Sequence, residues 1–290
     1  MDQQPNRPST VSLPTRVALI TGATSGIGRI TAIKLADQGC EVFLAGRSEA
    51  DAQRVIDEIN GRTGQSNARW IALDLSDLAS VESCAREFLA TDSPLHLLVN
   101  NAGVAGPRGI TRNGFEMAFG VNHLGHFLLT NLLLDRLKSS GPSRVVTVAS
   151  RAHKRVSGID WAALQSPRQS LTGVREYSVS KLANILFSAE LARRLQGTNV
   201  STYSVHPGVI YTNIWREVPA LFRPLLKLRG MISTEAGAAT TLYCATSAPQ
   251  TETGLYYANS GVIEPTLVAQ DQQLARTLWE KSETWVAACL

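Results

Sequence analysis

The feature that most constrains the fold is a short apolar run that ends in a glycine-rich loop and continues as an amphipathic helix. Residues 16–21 (RVALIT) predict a buried strand, and residues 27–38 predict a helix that ends at Gly39. The loop between them, TGATSGIG at residues 21–28, is typical of a pyrophosphate-binding turn. Glycines admit a phosphate close to the backbone, and the helix N-terminus offers amide donors. A purely structural turn would use glycine as freely. The predicted contacts are Gly22, Thr24, Ser25, Gly26, Ile27 and Gly28.

The same rhythm of strand and helix continues along the chain. Further strands are predicted at residues 41–45, 69–73, 95–99, 144–149, 200–205 and 254–258, and further helices at 48–60, 77–90, 113–138, 176–195, 233–246 and 266–286. Strands alternating with helices of this length predict βαβ units and a parallel sheet covered on both faces. The fold class is therefore α/β, a single-domain, Rossmann-like, doubly wound sheet of about seven strands.

Composition narrows the class of protein further. The net charge of +4 is spread along the chain without a run of five basic residues, so no nucleic-acid partner is predicted. No apolar run approaches the ~18 residues that cross a bilayer, and residues 1–14 lack the apolar stretch of a signal peptide. We expect a disordered lead-in at 1–14, one domain over 15–290, and a soluble, cytoplasmic protein.

The four cysteines lie far apart in the sequence and show no zinc-binding or C-x-x-C spacing. They predict free thiols in a reducing compartment, with disulfides as the alternative, and no metal site.

The residues after the second and third strands bear on which nucleotide is bound. An acidic residue after the second strand holds the ribose 2′-hydroxyl in NAD enzymes of this fold, but here Gly46 and Arg47 follow. A guanidinium suits a 2′-phosphate, so NADP(H) is favoured over NAD(H). A solvated Arg47 is the alternative, and nearby Glu49 keeps NAD(H) open. Asp74 and Leu75 are candidate adenine contacts, although Asp74 is also a candidate helix cap, as are Ser76 and Asp77.

Tyr177 and Lys181 form a Y-x-x-x-K pair, YSVSK. Four residues make about one helical turn, so the phenol and the ammonium project from the same face. A fixed positive charge favours the phenolate and lowers a tyrosine pKa from its usual value of roughly 10. Together with the phosphate loop, the pair indicates hydride transfer at a carbonyl or an alcohol. A solvated surface pair is the alternative.

Taken in order, these motifs resemble the short-chain dehydrogenase/reductase family over about residues 15–260. The residues that carry the resemblance are TGATSGIG at 21–28, NNAG at 100–103, Asn122, Ser150, YSVSK at 177–181 and HPG at 206–208.

The resemblance implies a catalytic set of Asn122, Ser150, Tyr177 and Lys181. Tyr177 exchanges a proton with the substrate oxygen, which Ser150 also binds. Lys181 lowers the Tyr177 pKa and binds the nicotinamide ribose. Asn122 bends its helix and holds a water in a proton relay to the lysine. Read alone, Asn122 is equally a surface residue or a local backbone hydrogen bonder, and Ser150 equally a turn residue.

Further cofactor contacts are implied along the NNAG and HPG segments. Asn101, Ala102 and Gly103 line the adenosine side. Pro207, Gly208 and Val209 position the nicotinamide ring, and Thr212 binds the carboxamide or a phosphate. His206 has no partner that the sequence identifies, so a structural role is expected for it.

The long segment between Ser150 and Tyr177, which begins SRAH, resembles the retinol dehydrogenase-like branch, which includes the WW-domain oxidoreductases. The branch implies apolar aldehydes, ketones, retinoids or steroids as substrates, and NADP(H). Residues 211–232 predict a mobile lid over an apolar pocket, with Trp215 and Phe222 as substrate contacts beside Ser150 and Tyr177. A membrane-touching amphipathic surface and plain core packing are the alternatives.

The sequence therefore predicts an NADP(H)-dependent oxidoreductase, a carbonyl reductase that interconverts a carbonyl and an alcohol on an apolar, retinoid-, steroid- or natural-product-like molecule. The family also implies a homodimer or homotetramer formed through the helices at 113–138 and 176–195. Two alternatives remain. One is a nucleotide-binding sensor with little turnover, and the other is a redox-assisted epimerase.

Overall fold

The computed structural model describes residues 16–208 and 233–289. The predicted lead-in at 1–14 and the predicted lid at 211–232 lie outside the described residues. So do four of the predicted contacts: Val209, Thr212, Trp215 and Phe222.

The described strands form one sheet with the order β3-β2-β1-β4-β5-β6-β7-β8. The strands are β1 (Val17–Thr21), β2 (Glu41–Gly46), β3 (Ala68–Ala72), β4 (Leu97–Asn100), β5 (Ser143–Val148), β6 (Val200–His206), β7 (Tyr256–Ala258) and β8 (Gly261–Val262). Strands β1 to β7 pair in parallel, and β8 pairs antiparallel with β7 at the edge. The doubly wound α/β prediction is confirmed. The short β8 is an addition, since two residues carry no alternation that a sequence could show.

Ten α-helical segments, most of which lie on the two faces of the sheet, are described. They are α1 (Gly26–Asp37), α2 (Glu49–Thr63), α3 (Leu78–Ala90), α4 (Met117–Phe119), α5 (Gly125–Leu132), α6 (Leu134–Ser139), α7 (Val174–Arg194), α8 (Thr234–Thr246), α9 (Leu267–Gln270) and α10 (Gln272–Ala287). A π-helical turn at Gly120–Leu124 joins α4 to α5, and 3₁₀ turns lie at Arg151–Arg155, Ala162–Gln165 and Gln250–Glu252.

Two helix predictions need correction. The helix predicted at 113–138 begins only at Met117, because the Asn113 side chain accepts a hydrogen bond from Leu78 N at 2.9 Å, and because Gly114 has a φ of 85°. The helix predicted at 266–286 is two helices. Asp271 separates them because its side chain accepts the amides of the first turn of α10.

Two apolar layers enclose the sheet. Helices α1, α2 and α8 cover one face, where Leu44, Val99 and Val146 lie in the core. Helices α3, α5, α7 and α10 cover the other face and enclose a larger aromatic core. The carboxyl ends of β1 and β4, where the strand order reverses, lie between the two layers. In open sheets of this kind this reversal marks the ligand-binding crevice.

Helix α7 is enclosed on all sides by its own chain. From Tyr177 to Ala192 every residue except Ala189 is buried. Helix α10 covers the outer side: the ring of Trp279 stacks on Phe187 with centroids 5.8 Å apart and lies 4.4 Å from the Arg194 guanidinium. The surface through which α7 was expected to meet a second subunit is therefore occupied by α10.

None of the helices in the described ranges is both long enough and apolar enough to cross a membrane. The four cysteines are free thiols, as predicted, and burial raises the pKa of Cys84 and of Cys244 to about 12.

Candidate active site

The glycine-rich loop after β1 has the geometry of a phosphate cradle. Gly22 and Gly26 have φ values of 66° and 56°, which side chains other than glycine rarely adopt. A Cβ on Gly28 would lie 2.3 Å from the Gly22 carbonyl oxygen, so only glycine fits there. Helix α1 begins at Gly26, and its cap residue Ser25 makes no side-chain hydrogen bond to the first turn. The first-turn amides are therefore directed toward an anion, as a pyrophosphate requires.

Asn101, which directly follows β4, hydrogen-bonds the glycine-rich loop. Its Nδ2 donates to Thr21 O at 2.8 Å and to Gly22 O at 3.3 Å. The amides of Asn101 and Ala102 both donate to Thr21 Oγ1 at 2.9 Å. The NNAG segment and the phosphate loop thus form one hydrogen-bonded unit, in which the Asn101 side chain holds the loop.

Groups that would surround the adenosine lie at the ends of β2 and β3. Gly46 lies beside Thr24, and Arg47 follows it with an exposed side chain. Asp74 Oδ1 accepts hydrogen bonds from Ser76 N at 2.9 Å and from Ser76 Oγ at 2.7 Å. Asp74 does not cap α3, because Asp77 does so.

The Leu75 side chain is buried in the core beneath this corner. A Cβ on Gly125 of α5 would lie 2.8 Å from Leu75 O, so the two segments pack tightly. Because its side chain is buried, Leu75 could contact an adenine only through its backbone atoms.

Three of the predicted catalytic residues meet at the carboxyl end of β5. Ser150 follows the strand, and its hydroxyl hydrogen-bonds the side chain of Tyr177. Lys181 lies one turn further along α7, with Nζ 5.6 Å from the centre of the Tyr177 ring. The ammonium donates to Val148 O at 2.8 Å. Both Tyr177 and Lys181 are buried, which is incompatible with a solvated surface pair.

Asn122 lies within the π-helical turn, where the helix departs from regular geometry. Its Oδ1 accepts from Val104 N at 2.8 Å, and its Nδ2 donates to Val104 O and to Ser180 Oγ, both at 2.9 Å. The side chain therefore ties the segment after NNAG to the catalytic helix α7. A Cβ on Gly103 would lie 3.2 Å from Asn122 Oδ1 and 3.6 Å from Lys181 Nζ, so Gly103 lies against both residues.

Burial is the main influence on the pKa values of Tyr177 and Lys181. It lowers the pKa of Lys181 to about 7 and raises the pKa of Tyr177 to about 12, while the Ser150 hydrogen bond acts to lower the Tyr177 pKa. The sequence predicts instead that Lys181 lowers the tyrosine pKa. The difference arises because burial disfavours the charged phenolate more than the Ser150 hydrogen bond stabilises it.

His126 is a site residue that the sequence analysis missed. Its Nδ1 donates to Asn122 O at 3.0 Å, and its Nε2 lies 2.8 Å from Thr21 Oγ1. Burial lowers the His126 pKa to about 4, so the ring is neutral, and Nε2 accepts a hydrogen bond from the Thr21 hydroxyl. His126 therefore links the Asn122 turn to the phosphate loop. In the sequence, only the four-residue spacing between Asn122 and His126 in NHLGH indicated that the two residues share a helix face.

Two more histidines support Ser150. His153 Nδ1 donates to Ser150 O at 2.7 Å, and its Nε2 accepts from Thr266 N at 3.3 Å. His206 Nδ1 accepts from Arg151 N at 3.4 Å. Pro207 and Gly208 follow His206 at the end of β6, and both are half-buried at the edge of the crevice.

A model of the short chain dehydrogenase family matches residues 16–220 of this sequence. The chain belongs to the short-chain dehydrogenase/reductase family. Human retinol dehydrogenase 11 is 44% identical over 94% of this chain and 86% of its own length. Member 13 of the dehydrogenase/reductase SDR family from Bos taurus is 43% identical over 93% and 73%, respectively. A crystal structure of an uncharacterised Mycobacterium paratuberculosis protein superposes with a TM-score of 0.74 and 34% identity, covering 95% of this chain and 96% of the other.

The resemblance to the retinol dehydrogenase-like branch is thereby confirmed. This short-chain dehydrogenase is an oxidoreductase that uses a nicotinamide cofactor to interconvert a carbonyl and an alcohol on a small molecule.

Proposed function

We propose that the protein is an NADP(H)-dependent carbonyl reductase, or alcohol dehydrogenase in the reverse direction, that acts on an apolar molecule. The observation that carries the proposal is the juxtaposition of Ser150, Tyr177 and Lys181 at the sheet edge beside the phosphate loop. When bound, the cofactor supplies or accepts the hydride. The four residues Asn122, Ser150, Tyr177 and Lys181 form the proposed catalytic set.

In reduction, the Tyr177 hydroxyl donates its proton to the substrate oxygen as negative charge develops there. Ser150 Oγ already hydrogen-bonds Tyr177, so both hydroxyls converge on one position, where together they stabilise an oxyanion. A protonated Lys181 nearby stabilises the phenolate that remains. Asn122 fixes the distance between α7 and the segment after NNAG through Ser180 and Val104.

The residues at the end of β2 fit NADP(H). Gly46 and Arg47 stand where an acidic residue would bind the ribose 2′-hydroxyl of NAD(H). Arg47 is exposed and directly follows Gly46, which lies beside the loop residue Thr24, so its guanidinium is accessible to a 2′-phosphate. The first turn of α1 has no acidic residue that would repel the phosphates. The proposed contacts are those of the sequence analysis, including Asp74, Ala102 and Gly103.

A long apolar aldehyde or ketone is the proposed substrate class. The segment between Ser150 and Tyr177 is joined to the stretch after NNAG, since Arg168 donates to Gly106 O at 2.7 Å. Within the segment, Glu176 accepts from Ser170 N at 2.8 Å. Leu171, an apolar side chain of this segment, is 89% exposed. The relatives named as retinol dehydrogenases support an elongated apolar substrate of retinoid or steroid size.

The homodimer or homotetramer stays a prediction. Helix α10 covers α7, so α7 has little exposed surface left for a second subunit.

The test is the loss of NADPH or NADH absorbance with a panel of apolar aldehydes and ketones. Tyr177→Phe removes the proton donor and is expected to abolish turnover, while Tyr243→Phe on α8 is the matched control with normal turnover. Faster consumption of NADPH than of NADH supports the proposal. Equal turnover by Tyr177→Phe would refute the proposed mechanism, and tight NADPH binding without turnover on any substrate would favour a sensor.

A further inference from the structure

A row of polar side chains crosses the sheet beneath α7. Asn100 of β4 pairs with Thr147 of β5, Thr147 with Ser204 of β6, and Ser204 with Tyr256 of β7. Residues paired across neighbouring strands point to the same face of a sheet. All four side chains are buried, on the face that α5 and α7 cover. Other buried polar side chains of that layer, such as Ser188 and Thr202, hydrogen-bond each other.

Three atoms of this row, Asn100 Oδ1, Thr147 Oγ1 and Tyr256 Oη, are buried without a partner among the described residues, and the first two lie on neighbouring strands. Asn100 Nδ2 donates to Thr130 Oγ1 at 2.9 Å, but no described residue donates to Asn100 Oδ1. Thr147 Oγ1 is likewise unpaired among the described residues. Buried polar atoms in folded proteins are nearly always hydrogen-bonded, to protein or to ordered water.

Asn184 of α7 joins this row to the proposed catalytic lysine. Its Nδ2 donates to Val148 O at 3.0 Å, the same carbonyl oxygen that accepts Lys181 Nζ at 2.8 Å. A carbonyl oxygen has two lone pairs and can accept both bonds. The other atom of the amide, Asn184 Oδ1, is buried and has no donor among the described residues. Val148 directly follows Thr147 in β5. The bond to Val148 O therefore brings the Asn184 amide close to Thr147, whose hydroxyl is unpaired.

We propose that Asn184 is a positioning residue for Lys181, and that its Oδ1, with Asn100 Oδ1 and Thr147 Oγ1, holds an ordered water beneath the ammonium. The inference rests on the proposed function for the role of Lys181. One water can satisfy all three atoms, because it can donate a hydrogen bond to each of the two amide oxygens and accept one from the Thr147 hydroxyl. Three hydrogen bonds are the usual number for a buried water.

The arrangement lets Lys181 change partners at little cost. If the ammonium turned from Val148 O toward a ribose hydroxyl of a bound cofactor, that carbonyl would keep its bond from Asn184 and would not be left unpaired. The titratable groups facing Lys181 are Tyr177 on its own helix and the neutral His126 from α5. No carboxylate in the described part of the chain contributes to the Lys181 environment, so this hydrogen-bond network is what orients the ammonium.

The test compares Asn184→Leu and Thr147→Val with a matched control, Thr241→Val. Thr241 is also buried with an unpaired hydroxyl, but it lies in α8 on the opposite face of the sheet. Asn184→Leu is expected to weaken NADPH binding, measured by fluorescence titration, about tenfold. It should also move the limb on which alcohol oxidation rises with pH, where Tyr177 loses its proton, to higher pH by roughly 0.5–1 unit, because a misplaced ammonium stabilises the phenolate less. Thr147→Val should change the NADPH affinity and the pH profile in the same direction but by less. Thr241→Val should change neither the affinity nor the pH profile.

Wild-type values in both Asn184→Leu and Thr147→Val would overturn the positioning role. A high-resolution crystal structure of the wild-type protein without water between the three oxygens would overturn the water site. If Asn184→Leu does not fold, the conservative Thr147→Val and the crystal structure decide. A wild-type protein that binds NADPH but turns over no substrate would refute the proposed function, while the binding titrations would still decide this inference.

Discussion

Replacing Lys181 by methionine is expected to abolish turnover and to make the cofactor-free protein more stable. Lys181 is buried, and its described hydrogen bond is to Val148 O. Burial lowers its pKa from the ordinary 10.5 to about 7. At pH 7 the unfolded chain therefore holds a proton that the folded chain has half lost. At ~1.36 kcal/mol per pKa unit this burial costs about 4 kcal/mol.

Methionine has a similar length and no charge, so it removes this cost. It also removes the bond to Val148 O, which contributes about 1 kcal/mol. We therefore expect Lys181→Met to raise the free energy of unfolding by about 3 kcal/mol at pH 7. The sign follows from linkage: between pH 7 and 10.5 the unfolded chain binds more protons, so wild-type stability rises with pH.

The assay is urea denaturation of both proteins across this pH range. The difference between them should shrink by about 1.4 kcal/mol per pH unit above pH 7, as the lysine in the unfolded chain loses its proton. Lys138→Met, at an exposed lysine on α6, is the control and should stay within about 0.5 kcal/mol of the wild type throughout. A variant that is less stable than the wild type at pH 7, or a difference that does not vary with pH, would refute the reasoning.

Three further predictions concern the cofactor crevice and the helix that covers α7. Arg47→Asp should lower kcat/KM for NADPH at least about tenfold and raise the relative use of NADH, as steady-state kinetics with both cofactors would show. Gly28→Ala should prevent cofactor binding in a fluorescence titration, since its Cβ has no space, whereas Gly61→Ala in α2, with nothing within 4 Å, should be neutral or slightly stabilising. Trp279→Ala should lower the free energy of unfolding by about 3–5 kcal/mol and promote self-association, detectable by denaturation and by light scattering after size exclusion.

Much of the fold could be predicted because its signals are local. The alternation of apolar runs and helical patterns predicted every long strand, and the YSVSK spacing placed Tyr177 and Lys181 on one face. The family resemblance implied that Asn122 bends its helix, but the π-helical form of the turn at Gly120–Leu124 and its partners Val104 and Ser180, which lie on other segments, could not be predicted.

The supporting contacts of the site were missed for the same reason. The bond between Thr21 and His126 joins residues distant in sequence, and neither residue type identifies the other. The pKa of Tyr177 was expected to be lowered, but burial raises it, and the depth of burial is set by the whole fold. Asn184 resembles any polar residue in a helix until the carbonyl it shares with Lys181 is seen.

Because α10 covers α7, part of the core stays exposed until the end of the chain has been synthesised. During synthesis α7 leaves the ribosome well before α10, because α8 and the last strands are translated between them. Until then Phe187 and the apolar side chains around it have no cover, and a nascent chain at this stage presents a surface that chaperones bind. A premature stop before Gln272 would leave that surface exposed permanently. Such a product would retain every proposed catalytic residue, yet it would be a substrate for proteolysis rather than an enzyme.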